Sequence, residues 1–201
     1  QICISVNRIY VADEVAEAFT DELVRQAERF KIGNGLDPDV DLGPMFSRAQ
    51  RDKTREHVAD AMEKGAELLF GGRDPEGEAY EKGYFFLPTV LCRADHKMKV
   101  MREETFGPVA PLMKFKSLEE AISLANDSPY GLAAYIFTSD LKTALKAAEG
   151  LEAGGIGVNV NNVVDLQAPF GGWKESGVGR ELGRWGLEAY METKHIRLGM
   201  G

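Results

Sequence analysis

Three short stretches hold side chains that could do covalent or binding chemistry. The first is Cys3, set between Ile2 and Ile4 and preceded by Gln1. A thiolate is a soft nucleophile that can add to a carbonyl carbon and carry an acyl group. A cysteine in an apolar setting equally describes a small buried hydrophobe. The second stretch is Glu103-Glu104-Thr105-Phe106-Gly107-Pro108. Paired carboxylates before an aromatic and a Gly-Pro turn describe either a polar site or a solvated helix end. The third runs from Ala168 to Glu181, a glycine-rich loop in which Phe170 and Trp173 are embedded. A loop so costly in backbone entropy usually has a task. It lacks the strand-then-helix context that a dinucleotide fingerprint requires.

The elements that must position these residues alternate between strand and helix. Cys3 to Val11 is rich in β-branched and aromatic residues and reads as a strand. Asp13 is expected to cap a helix whose apolar positions Val15, Phe19, Leu23, Ala27 and Phe30 recur every three or four residues up to Gly33. Ser47 to Lys64 reads as a more polar helix, Ala66 to Phe70 as a short strand, and Phe85 to Leu91 as extended chain around Pro88. Val109 to Phe115 is the next strand, and Ser117 opens a helix with Glu120 at capping-box spacing. Strand Leu132 to Phe137, a helix from Asp140, strand Gly155 to Val160, helix Leu182 to Met191 and a terminal strand Lys194 to Leu198 complete the series. Apolar strands separated by helices imply βαβ units around a largely parallel sheet, with a site at the carboxyl edge of the strands.

Composition narrows the partners. The 24 basic and 32 acidic residues leave a formal charge of −8 over 201 residues, with 44% hydrophobic and 28% charged, which is ordinary globular composition. No basic stripe is present to track a phosphate backbone, so nucleic acid is not an expected partner. Apolar runs such as Leu132–Phe137 fall far short of the ~18 residues of a membrane span. Two cysteines make no disulfide framework, and a reducing cytoplasm is the expected compartment. Cys92 closes an apolar strand and reads as a core thiol. His57, His96 and His195 stand singly, without metal-ligand spacing, so no metal is expected. Arg180-Glu181 reads as structural or interfacial, and Trp173 and Trp185 as packing residues. No linker or internal repeat divides the chain, which reads as one domain.

Taken in order, these stretches resemble the C-terminal, catalytic portion of the NAD(P)-dependent aldehyde dehydrogenase superfamily. The resemblance rests on Gln1-Ile2-Cys3, Gly43-Pro44, Glu103 to Val109, Tyr130-Gly131-Leu132-Ala133-Ala134, Asn159, and Pro169-Phe170-Gly171-Gly172 running to Gly179-Arg180-Glu181. It implies a three-layer α/β/α catalytic domain with a largely parallel sheet across residues 1–201, with NAD or NADP as cofactor. It makes Cys3 the nucleophile toward an aldehyde, its own backbone N–H one of two oxyanion donors. Glu104 matches the carboxylate that holds the nicotinamide ribose and Phe106 the aromatic beside the same ring. Gln50 and Lys53 fall where the family contacts the ribose on the adenine side. Phe170 matches a wall of the aldehyde tunnel. The closing motifs look most like the semialdehyde-oxidising branch. Val164, however, stands where that branch has a carboxylate-binding serine, which favours a more apolar tunnel lined by Ile2, Ile4, Val163, Val164 and Phe170. The resemblance also places a cofactor-binding domain, a general-base Glu and an oxyanion Asn upstream, so the 201 residues alone are expected to fold at least in part without turnover. A homo-oligomer, dimer or tetramer, is expected in the full enzyme near the terminal strand Lys194–Leu198. A coenzyme A-acylating relative, or a non-catalytic assembly module, stays open as an alternative.

Overall fold

The computed structural model describes residues 1–201, and the chain folds into two compact units, Gln1–Ser123 and Leu124–Gly201. The division falls inside a helix, where neither linker nor composition marks it.

In the first unit β1 (Ile9–Ala12), β2 (Glu67–Phe70), β3 (Thr89–Cys92) and β4 (Val109–Phe115) form one sheet in the order β1-β4-β3-β2. β1 and β3 both run parallel to β4, and β2 pairs antiparallel with β3 at the edge. Successive side chains leave a strand on opposite faces. Val11, Val90 and Leu112 accordingly pack with Ala16 and Ala27 of α1 (Ala16–Arg29). Leu91 and Val109 pack with Val58 and Ala61 of α2 (Arg48–Glu63) and with Val100 and Met101 of α3 (Lys99–Arg102). Helices on both faces make the three-layer α/β/α arrangement, which is why these strands are apolar on both sides.

The boundaries show where local signals compete. Ser47 caps α2 as its position suggests, its Oγ accepting from the Gln50 N–H at 3.2 Å. β4 coincides with its apolar run. The strand read from Cys3 starts only at Ile9, because residues 2–5 close a turn in which the Ser5 N–H donates to the Ile2 carbonyl at 2.9 Å. Asp13 opens a 3₁₀ turn, Asp13–Val15, and α1 begins at Ala16 without a side-chain cap. Its buried residues are Ala16 and Ala27, with Leu23 and Val24 packed beside them, while Val15, Phe19 and Phe30 are exposed. Cys92 ends β3 but is no core thiol. It is half-buried, with Sγ 3.6 Å from Glu67 Oε2, and burial followed by that carboxylate pushes the thiol above its ordinary range. At the head of α4 (Leu118–Asn126), Glu120 N–H donates to Ser117 Oγ and Glu120 Oε2 accepts from Lys116 N–H, at 3.2 and 2.7 Å.

In the second unit β5 (Tyr130–Gly131) pairs antiparallel with β8 (Trp173–Lys174), and β6 (Ala133–Ile136) pairs parallel with β7 (Gly155–Val158). α5 (Leu141–Gly150) packs on β6 and β7. Its cap is Asp140, which accepts from Thr143 N–H at 2.7 Å, and the bonds to Thr143 hold the Asp140 carboxyl below the usual range. α6 (Gly183–Glu188) is shorter than the helix read over 182–191. The terminal strand read over Lys194–Leu198 is not formed: residues 192–201 adopt no regular element, since a strand needs a ladder partner and no segment of this chain pairs with them. No helix is long and apolar enough to cross a membrane.

Leu91 is fully buried between β3 and α2. Leu91→Ala should therefore lower unfolding stability by about 2–5 kcal/mol, as truncations leaving a cavity do. Urea denaturation should show an earlier midpoint at unchanged slope, and a midpoint equal to the parent's would show that this face is not a packed core.

Candidate active site

Cys3 sits in the Ile2–Ser5 turn, and its side chain is exposed. Side-chain amides anchor the chain on both sides of that turn. Before it, Gln1 Nε2 donates to the Pro44 carbonyl at 3.4 Å and Gln1 Oε1 accepts from the Phe46 N–H at 2.9 Å. After it, Asn7 Nδ2 donates to the carbonyls of Val100 and Glu103, at 3.3 and 3.2 Å, and Asn7 Oδ1 accepts from the Thr105 N–H at 3.0 Å. A primary amide offers both donors and acceptors, so one side chain can serve two strands of backbone at once. The segment carrying Cys3 is thereby joined to the loop carrying Glu104 and Phe106.

That loop follows α3 directly and is fixed from a second side by α2. Gln50 Nε2 donates to the carbonyls of Thr105, at 2.6 Å, and Phe106, at 3.4 Å. His57, buried with 1% of its surface accessible, places Nδ1 3.0 Å from Thr105 Oγ1 and Nε2 3.3 Å from Glu103 Oε2. Phe106 takes a left-handed backbone, φ 51°, which turns the loop sharply before Gly107. Gly107 is required by proximity: a Cβ there would lie 2.5 Å from Thr54 Oγ1 on α2. Glu104 is left exposed and Phe106 half-buried on a backbone held from two sides.

The other expected site residues distribute as follows. Ile2 is exposed and Ile4 half-buried, flanking Cys3. Lys53 is half-buried on α2, three residues beyond Gln50, and its charge is felt at His57. Gln50 is occupied with loop carbonyls through its Nε2. Val164 and Phe170 belong to the second unit, where Val164 is exposed, with its N–H on Asn162 Oδ1 at 3.0 Å. Phe170 is half-buried and exchanges both backbone bonds with Glu181, at 2.8 and 2.7 Å, which closes the glycine-rich loop at its base. Inside that loop Arg180 Nη1 donates to the carbonyls of Gly172 and Gly179, so Arg180-Glu181 has a structural part, as expected. Chain approach here is very close: a Cβ on Gly154 would lie 1.7 Å from the Gly171 oxygen.

Asn7, Thr54 and His57 support this loop although the sequence motifs do not single them out. Gln50, Thr54 and His57 stand at helical spacing i, i+4, i+7, a polar stripe that faces the core side of α2, and that stripe is the signal that could have found Thr54 and His57. A cleft of about 300 Å³ lies nearby, walled by Val6, Leu23, Phe30, Met45 and Phe86. Gln1 and Ser5 on either side of Cys3, and Gly107 and Pro108 beyond Glu104, also line it, while Cys3 and Glu104 themselves do not.

Residues 1–196 match the aldehyde dehydrogenase family. The chain is 45% identical over 200 residues to a 3-sulfolactaldehyde dehydrogenase of Pseudomonas putida, covering 99% of this chain and 40% of that protein. It is 42% identical over 201 residues to the NADP-dependent succinate-semialdehyde dehydrogenase of Escherichia coli K12, covering 100% and 41%. A crystal structure of betaine aldehyde dehydrogenase from Staphylococcus aureus in complex with NAD+ superposes with a TM-score of 0.93 at 39% identity, over 97% of this chain and 39% of that one. The chain thus spans about 40% of the length of the curated relatives it matches. Match length, identity and superposition agree, and the chain belongs to the aldehyde dehydrogenase family.

Proposed function

We propose that this chain carries the nucleophile and part of the cofactor grip of an NAD(P)-dependent aldehyde dehydrogenase, which oxidises an aldehyde to a carboxylic acid. The observation that supports it most is the joining of the Cys3 turn to the Glu104–Phe106 loop through Asn7. An exposed thiol and an exposed carboxylate then stand on neighbouring, rigidly anchored segments.

Cys3 acts as the attacking group. Its Sγ, as thiolate, adds to the aldehyde carbon, holds the tetrahedral thiohemiacetal and, after oxidation, holds the acyl group as a thioester that water releases. The Cys3 backbone N–H is one donor to the developing oxyanion. The donor set fits NAD(P): Glu104 is an exposed acceptor suited to ribose hydroxyls, and Phe106 offers an aromatic face beside them. When bound, that cofactor supplies the hydride acceptor. Gln50 sets the backbone from which Glu104 and Phe106 project, and Lys53 contributes positive charge on the same helix.

Ile2 and Ile4 flank the nucleophile along the chain and are the apolar residues of the first unit we assign to the aldehyde path. The assignment of Val164 and Phe170 to the aldehyde path rests on the family resemblance alone. Relatives named for succinate-semialdehyde and 3-sulfolactaldehyde support an aldehyde that carries a second polar group. Val164 offers no hydrogen bond to such a group, so its recognition falls to other residues. A cytoplasmic homo-oligomer is the assembly we propose for the enzyme.

Replacing the nucleophile tests the first part. In the enzyme that carries this chain, Cys3→Ser should abolish aldehyde-dependent NAD(P)H formation while cofactor affinity, read by fluorescence titration, stays near the parent value. Cys92→Ser should retain activity. Parent-like turnover by Cys3→Ser would sink the assignment.

Glu104→Gln tests the second part. A nicotinamide ring displaced by ~1 Å should slow hydride transfer by about 100-fold, whereas capture of the aldehyde by the Cys3 thiol persists. Stopped-flow absorbance at unchanged rate would remove Glu104 from the cofactor grip.

A further inference from the structure

The buried imidazole of α2 makes two bonds to the loop that carries Glu104, one to each flanking residue. His57 Nε2 meets Glu103 Oε2 at 3.3 Å, and Nδ1 meets Thr105 Oγ1 at 3.0 Å. A carboxylate only accepts, so the proton on a neutral His57 ring belongs on Nε2, and Nδ1 then accepts from the Thr105 hydroxyl. Both ring nitrogens are thus committed to residues 103 and 105, and residue 104 is suspended between them.

The arrangement exceeds what packing requires. Thr105 is itself buried, and its N–H and carbonyl are already held by Asn7 and Gln50. The imidazole adds side-chain bonds that fix the rotation of the loop about that backbone. We propose that His57 is a positioning residue for the cofactor-binding loop, setting the placement of Glu104 and Phe106 through Thr105 and Glu103. The proposal rests on the reading of Glu104 as the ribose carboxylate.

A pH dependence follows from the same geometry. Protonating His57 makes Nδ1 a donor and reverses the bond to Thr105. Burial holds the imidazole below its ordinary range, against the opposing pull of Glu103, with Lys53 lowering and Glu56 raising it. Lys99 of α3, ion-paired to Glu56, faces the same cluster. With the folded value depressed, the unfolded chain takes up the proton first. The stabilising contribution is therefore complete above the ordinary histidine value of ~6.5 and is lost as pH falls through the depressed folded value.

The test uses the enzyme that carries this chain and five variants: His57→Phe, His57→Asn, Thr105→Val, the His57→Phe/Thr105→Val double variant and Glu104→Gln. His57→Phe should slow single-turnover hydride transfer by about 10-fold or more, the cost of a small misplacement of the ring, and should raise the cofactor KM. Labelling of Cys3 by a thiol reagent without cofactor should be unchanged. His57→Asn, whose amide can still accept from Thr105, should recover most of the rate, and the part of the parent's rate that is lost as pH falls through the depressed His57 value should not be lost in this variant. Thr105→Val should match His57→Phe, and the double variant should be no slower than either. Should His57→Phe fail to fold, the Asn and Val variants carry the test. Folded Thr105→Val and His57→Phe with parent-like hydride transfer and KM, beside a slowed Glu104→Gln, would overturn the proposal alone. An unslowed Glu104→Gln would overturn the ribose reading and this proposal with it.

Discussion

An irregular loop must find partners for its own backbone N–H and C=O groups, and between Glu103 and Gly107 side chains of distant segments supply them. Asn7 arrives from the segment after Cys3 and Gln50 from α2, while His57 of the same helix adds bonds to the Thr105 and Glu103 side chains. A loop without such partners would relax toward water and carry Glu104 with it. The same bonds work in the other direction, because Asn7 cannot reach three backbone groups of residues 100–105 unless the Cys3 segment lies alongside. One set of contacts thus holds both the Cys3 turn and the loop that carries Glu104.

The sheet makes those contacts possible by fixing α2 and α3. Val58 and Ala61 seat α2 on one face of β3 and β4, and Val100 and Met101 seat α3 on the same core. α2 therefore carries two stripes with different duties: an apolar one that packs and a polar one, Gln50, Thr54 and His57, that reaches the loop. Exposed ion pairs such as Arg25 with Glu22 add little, since pairs in water are worth ~0–1 kcal/mol. The buried polar stripe is more consequential, because each of its groups would be costly if left unpaired.

The second unit solves a similar problem by different means. Lys174 Nζ binds the carbonyls of Asn126 and Ser128 and the Glu152 carboxylate, at 2.7, 3.0 and 2.6 Å. Asn126 in turn binds the Gly150 carbonyl and the Glu152 N–H. A single cationic hub and one amide hold several chain segments together, and the glycines around Phe170 let backbone approach backbone where a Cβ would not fit. The glycine-rich loop is in this sense a packed element.

Local chemistry was legible in the sequence. The Ser47 and Asp140 caps, the apolar run of β4 and the turn residues of the Glu103–Pro108 loop act within a few positions, so their types and spacing specify them. The family motifs were also legible, because they are strings of adjacent residues. Tertiary structure alone decided the rest. Asn7 reads as one polar residue in an apolar strand until residues 93 to 98 positions away meet it. His57 reads as a solitary histidine until Thr105, 48 positions on, closes on its ring. The division into two units and the irregular course of Lys194–Leu198 are likewise matters of which segments meet. Propensity and periodicity report a residue's own neighbourhood along the chain, whereas a hydrogen bond between distant segments exists only once the core has brought them together.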